Sequence, residues 1–112
     1  MNTNQSKHFT LHSLTEGVVA AIASDRGAAI GNAGLIDLGG QVLLFDTFMT
    51  PQAALDLRRA AEELFGRVPN LVVNSHYHND HIWGNQVFAD SAHIISTTRT
   101  RELIASAGKE EF

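Results

Sequence analysis

The sequence predicts an α/β fold of the α+β type, a mixed β-sheet with about two helices packed on one face. Short apolar runs separated by glycines predict several strands in the first half of the chain. Apolar residues recur at helical spacing between residues 51 and 65, and strands and helices alternate from there on, which predicts parallel pairing. With 112 residues, 44% of them hydrophobic, the chain has the size and apolar content of one compact domain.

The first half of the chain is predicted to form four strands. The stretch from Phe9 to Ser24 is broken by Gly17 and is typical of a hairpin, and a third strand is expected from Ala29 to Leu38. The run "VLLFD" follows a glycine pair and predicts a buried strand that ends at Asp46.

The second half is predicted to alternate between helices and strands. Thr50 fits the N-cap of a helix that Gly66 ends, with an apolar stripe of Ala54, Leu57, Ala61 and Leu64. The runs "NLVVNS" and "HIIS" predict two more strands, and a last helix is expected from about Thr98 with Gly108 as its cap. We expect a flexible N-terminus over residues 1–8 and one structural unit over residues 9–112.

Composition argues against several function classes. The net charge of -4 and the absence of a basic patch make nucleic acid a poor partner. Without cysteine there is no disulfide framework, thiol nucleophile or sulfur-ligated zinc. The N-terminal sequence is polar and no apolar run reaches the ~18 residues of a membrane span. We therefore expect no membrane association and a cytoplasmic location.

The stretch "VVNSHYHNDHIWGN", residues 72–85, contains a dense polar cluster directly after an apolar strand. In an extended segment, His76 and His78 project to the same side with Cα atoms about 7 Å apart, which suits zinc binding. Asp80 and His81 follow where the chain should turn, so their side chains can reach a second point close by. The spacing therefore predicts two adjacent metal positions, and the alternative is a solvated, histidine-rich loop.

These residues resemble a known family. His76-Tyr77-His78-Asn79-Asp80-His81 is similar to the H-x-H-x-D-H motif of the metallo-β-lactamase superfamily, and "LLFDT" resembles the strand of that fold whose terminal acid lies beneath the metal site. The resemblance extends over nearly the whole chain from about residue 9. It implies the first half of an αββα sandwich, with the second half absent.

The resemblance also implies roles for individual residues. His76 and His78 would bind the first metal, and Asp80 and His81 the second, with Asp80 also the candidate catalytic residue. Asp46 would orient the ligands from behind, although it could instead cap the turn after its strand. The implied cofactor is Zn²⁺, two ions in the complete fold, with Mn²⁺ or Fe²⁺ as alternatives. His8, His12 and His93 are interpreted as ordinary structural histidines.

The implied function is that of a metal-dependent hydrolase acting on a small molecule, an ester, lactone, thioester or amide, with phosphodiesters and a one-iron sulfur dioxygenase as further branches. The ligands that close both sites in the family would come from the second half, so this chain is expected to have weak activity or none. The alternative is a non-catalytic, truncated half-domain that binds metal weakly or pairs with another chain. In either case an uncovered sheet face would favour self-association or pairing with another chain.

Overall fold

The computed structural model describes residues 6–25 and 27–111, with side chains as far as residue 106. It contains six strands, which are β1 (Phe9–Thr15), β2 (Val18–Ala23), β3 (Ala33–Asp37), β4 (Val42–Phe45), β5 (Leu71–Val73) and β6 (His93–Ile95). The helices are α1 (Pro51–Phe65), α2 (Asn79–Ile82) and α3 (Thr98–Glu111), and a 3₁₀ turn covers Trp83–Val87.

The strands form one mixed sheet in the order β1-β2-β3-β4-β5-β6. The first four strands pair antiparallel, whereas β4, β5 and β6 pair in parallel. This confirms the predicted mixed sheet and the predicted parallel pairing. It also brings the carboxyl ends of β4 and β5 to the same edge, since parallel neighbours end on the same side.

Helix α1 begins and ends as its sequence predicts. The Thr50 side chain accepts a hydrogen bond from the backbone N–H of Ala53, and Gly66 closes the helix with a positive φ of 75°. The buried face consists of Ala53, Ala54, Leu57, Ala60 and Ala61. Four of these five side chains are methyl groups, so the helix backbone can lie close to the sheet.

One core lies between α1 and the sheet. Alternate strand residues face α1 and are fully buried, among them Leu35, Leu44 and Val72. Phe9, Phe48 and Phe88 belong to the same buried cluster. Residues on the opposite sheet face are only partly covered, and Phe45 is 43% exposed. The alternation follows from the two-residue period of a strand.

Several predicted details differ from the structure. Leu64 is exposed rather than part of the buried stripe, because the helix turns its alanine-rich side toward the sheet. Helix α3 continues to Glu111, so Gly108 is not its cap, and α2 adds a third helix where about two were expected. β3 and β5 are shorter than predicted, because β3 begins only at Ala33 and β5 ends at Val73, before the polar residues of the site.

The sequence predicted a flexible N-terminus over residues 1–8 and no membrane-spanning segment. Of the N-terminal segment predicted to be flexible, residues 1–5 lie outside the described residues. Ser6 donates a hydrogen bond to Asp56 of α1, and His8 is buried and accepts a hydrogen bond from the backbone N–H of Ala28. No helix in residues 6–25 and 27–111 has both the length and the apolar character needed to cross a membrane.

Candidate metal centre

The candidate site lies at the carboxyl ends of β4 and β5, where Asp46 and the cluster of residues 75–81 follow the two strands. Asp46 has a positive φ of 67°, a left-handed conformation that aspartate tolerates better than most residues and that costs about 1–3 kcal/mol. This turn ends β4 and leaves the Asp46 side chain buried beneath the cluster.

The Asp46 carboxylate accepts three hydrogen bonds. Oδ1 accepts from the backbone N–H of Ser75 at 2.7 Å, and Oδ2 accepts from the Ser75 hydroxyl at 2.7 Å and contacts Nδ1 of His81 at 2.8 Å. A carboxylate has no proton to donate, so Nδ1 of His81 must be the donor in the last contact. In the neutral ring, Nε2 then keeps its lone pair.

His81 points that second nitrogen toward Asp80. Nε2 of His81 lies 3.3 Å from Oδ2 of Asp80. Two ligands at the usual 2.0–2.2 Å from a tetrahedral zinc ion are about 3.3–3.6 Å apart, so the spacing fits one shared cation. Without a cation or a second proton on His81, two lone pairs would face each other at this distance. The donor set therefore fits a metal ion bound between Asp80 and His81.

His76 lies against His81 and His78. Its ring centroid is 4.2 Å from that of His81 and 4.9 Å from that of His78, with the latter pair edge to face. One ligand atom from each of Asp46, His76 and His81 lies within 4.8 Å of the others. His78 is exposed at the rim, and the Tyr77 ring lies 4.7 Å from it.

The structure thus brings all five predicted site residues to one end of the sheet, though not in the backbone form expected from sequence. The segment carrying His76 and His78 is a series of bends rather than an extended strand, and α2 begins at Asn79 with His78 as its N-cap. The ligand atoms that lie closest together belong to Asp46, His76 and His81. Asp80 contacts this group through Nε2 of His81.

A second set of polar residues holds the site segments together. The side-chain amides of Asn74 and Asn85 donate hydrogen bonds to each other's oxygens, at 3.1 and 2.8 Å, and the Thr47 hydroxyl donates to Asn85 at 2.8 Å. The backbone N–H of Thr47 also donates to the carbonyl of His81. These bonds join the chain after β4, after β5 and after α2, so they fix the distances between the candidate ligands.

Two glycines allow close approach of the backbone at the site. A Cβ atom at Gly84 would overlap the Thr47 carbonyl oxygen, and a Cβ at Gly31 would lie 2.7 Å from the carbonyl oxygen of Asp80 and 3.2 Å from Cε1 of His81. The sequence pattern did not indicate roles for Ser75, Asn74, Thr47 or Gly31. Asn74 and Ser75 lie directly before His76 within residues 72–85, and this position was the sequence signal that could have indicated them.

His12 and His93 lie away from the cluster. Nε2 of His12 makes a hydrogen-bonding contact with the Thr10 hydroxyl, and His93 is exposed at the start of β6. These two histidines, with His8 beneath the β2–β3 connection, have ordinary surroundings for structural residues. Neither His12 nor His93 belongs to a group of metal-binding side chains among the described residues.

Comparison with known proteins gives a consistent family and fold. The family model described as the metallo-beta-lactamase superfamily matches residues 26–111. A search of curated protein sequences gave no match. Solved structures of similar fold include a metallo-beta-lactamase from Hirschia baltica, with 19% identity and a TM-score of 0.79. Another is an enzyme of the same name from Erythrobacter litoralis, crystallised with beta mercaptoethanol in its active site, at 19% identity and 0.78.

A third similar structure is a metallo-beta-lactamase from Pseudomonas aeruginosa in its mono-zinc form, with 14% identity and a TM-score of 0.78. The alignments cover 91%, 93% and 96% of this chain but 49%, 48% and 50% of the three solved chains, in the same order. The chain therefore spans about half the length of the structures it matches. At these identities the likeness establishes the fold alone.

Proposed function

Because this chain belongs to the metallo-beta-lactamase superfamily, we propose that it carries the first ligand cluster of a metal-dependent hydrolase. The proposed substrate is a small molecule with an ester, lactone, thioester or amide bond. One observation carries the proposal: Nδ1 of His81 is held by Asp46 while Nε2 faces Asp80 at the ligand spacing of one zinc ion. In a merely solvated loop we would not expect a buried carboxylate that is hydrogen-bonded to a histidine.

We assign His76 and His78 to the first metal position and Asp80 and His81 to the second. Zinc is the proposed ion, since imidazole nitrogen and carboxylate oxygen are both among its usual ligands, and one mono-zinc structure shares the fold. When bound, zinc supplies a Lewis acid that polarises a carbonyl and activates water for attack.

The protein's own residues have distinct parts in this proposal. Asp46 fixes the orientation and the tautomer of the His81 ring, and the Asn74–Asn85 pair holds the chain after β5 to the chain after α2. Asp80, 30% exposed, is the proposed catalytic residue because it is the carboxylate that reaches both the metal position and the open side of the site.

The ligand assignment can be tested by metal analysis. We expect His78→Ala and Asp80→Ala each to lower the zinc or manganese bound per chain, because each removes one donor from a set with few donors. The measurement is elemental analysis of the purified chain after dialysis against each metal. Unchanged stoichiometry in both variants would refute the metal centre. A panel of ester and lactone substrates, assayed with and without zinc, then tests the hydrolase activity.

The exposed sheet face favours a second candidate function, in which the chain pairs with another chain through this face. On the face away from α1, Phe45 lies opposite Val73, and Val73 lies opposite Ile95. Phe45 and Ile95 are 43% and 45% exposed, so a row of apolar side chains crosses three strands in contact with water. We propose that a second copy of this chain covers this row, because sheets of similar shape pack face to face.

Self-association through this face predicts a concentration-dependent size. We expect the wild-type chain to elute as a dimer at micromolar concentration, and Phe45→Gln to shift it toward monomer, because a buried aromatic contact is lost. Leu55→Gln is the matched control, since Leu55 is 42% exposed on α1, on the other side of the sheet. Size-exclusion chromatography with light scattering measures the outcome. A monomeric wild-type chain that binds no hydrophobic dye would contradict the pairing.

A further inference from the structure

The hydrogen bonds around Asp46 extend beyond His81 to a second histidine. The Ser75 hydroxyl lies 2.7 Å from Oδ2 of Asp46 and also 2.7 Å from Nδ1 of His76. A serine hydroxyl has one proton, and a carboxylate can only accept, so that proton lies between Ser75 and Asp46. Toward His76, the Ser75 oxygen can therefore only accept.

This constraint fixes the tautomer of the neutral His76 ring. Nδ1 of His76 must carry a proton to make its contact with Ser75, and in the neutral ring Nε2 then has the lone pair. His81 has the same tautomer through its direct contact with Asp46. One buried carboxylate thus sets the tautomer of two histidines, directly for His81 and through a serine hydroxyl for His76.

We propose that Ser75 is a positioning residue that holds His76 as the Nδ1–H tautomer and so leaves Nε2 free to bind a metal ion. The value of this tautomer for metal binding rests on the proposed function, whereas the tautomer itself is a property of the metal-free chain. Ser75 links the first metal position to the same carboxylate that orients a ligand of the second.

The variant Ser75→Ala separates this positioning role from a merely structural one. The bond from the Ser75 backbone N–H to Asp46 does not depend on the side chain, and Ser75 is exposed, so Ser75→Ala leaves both the turn and the core intact. Only the hydroxyl bridge is lost. Ser75→Thr retains a hydroxyl at the same atom and serves as the conservative variant.

The tautomers can be read by nitrogen-15 NMR of the imidazole rings in the metal-free chain, at a pH where both rings are neutral. We expect Nδ1–H for His76 and His81 in the wild type. In Ser75→Ala, His76 should shift to a mixture with a substantial Nε2–H fraction, while His81 stays unchanged as an internal control. Ser75→Thr should restore the wild-type spectrum of His76. An Nε2–H form of His76 in the wild type, or identical His76 spectra in wild type and Ser75→Ala, would overturn the proposal.

Zinc titration against a chromophoric chelator then tests whether the tautomer matters for binding. We expect Ser75→Ala to weaken zinc binding at least about 10-fold, the usual effect of losing a hydrogen bond behind a metal ligand, with Ser75→Thr close to wild type. A changed tautomer with unchanged affinity would overturn the positioning role. If the wild type binds no zinc, the proposed function fails, and the NMR comparison still decides whether Ser75 sets the tautomer of His76.

Discussion

Replacing both His76 and His81 with alanine should abolish specific zinc binding by this chain. These two rings are 4.2 Å apart at their centroids and, with Asp46, form the closest group of candidate ligand atoms. Hydrogen bonds at Nδ1 orient both rings so that each offers its Nε2 lone pair to a metal ion. The double variant loses these two oriented nitrogen donors. Of the proposed ligands it keeps only His78 and Asp80. We expect the affinity for zinc to fall at least about 100-fold, measured by competition with a chelator.

The matched control removes two histidines elsewhere. His12→Ala combined with His93→Ala deletes the same number of imidazoles from exposed positions outside the cluster. This control should bind zinc as the wild type does. Equal loss of binding in both double variants would mean that zinc associates with histidines in general and that the cluster has no special affinity.

Gly84→Ala should destabilise the fold strongly. A Cβ at this position would overlap the backbone oxygen of Thr47 and lie 2.7 Å from the Cβ of Ala54 on α1. Neither group can move without displacing a strand end or the helix, so only a backbone shift can remove the overlap. We expect a loss of about 3 kcal/mol or more in the free energy of unfolding, at the upper end of the range for overpacked sites. Urea denaturation followed by circular dichroism measures this loss.

Gly40→Ala provides the control for that substitution. A Cβ at Gly40 would meet no atom within 4 Å, and its backbone is not in the left-handed region. We expect its stability to lie within about 0.5 kcal/mol of wild type. If Gly84→Ala were equally neutral, the close packing of the chain after α2 against the chain after β4 would be wrong, and with it the geometry of the site.

Much of the fold was predictable because its signals are local. The hairpin around Gly17, the Thr50 cap and the Gly66 terminus each depend on a few neighbouring residues, and all were confirmed. Parallel pairing of the last strands followed from the alternation of strands and helices. The predictions for Leu64 and Gly108 were wrong, because helical spacing alone does not show which face of a helix meets the sheet or where a helix stops.

The candidate site was predictable in composition but not in its hydrogen bonding. The dense cluster and its resemblance to a family motif indicated His76, His78, Asp80 and His81, and the strand-end position indicated Asp46. The proposed role of Ser75 depends on a contact between the chain after β4 and the chain after β5, 29 residues apart in sequence, which no local pattern reveals. The hydrogen bonds between Asn74 and Asn85 were likewise not predictable, because these two side chains meet only in the folded chain.

We propose that His76, His78, Asp80 and His81 bind zinc at the end of the sheet. The most direct measurement is X-ray absorption spectroscopy at the zinc edge of the chain loaded with one equivalent of zinc. The predicted result is a first shell of nitrogen and oxygen at about 2.0–2.1 Å with the outer-shell scattering of imidazole rings, lost in the double variant of His76 and His81. A shell of oxygen alone, without imidazole scattering, would contradict the assignment.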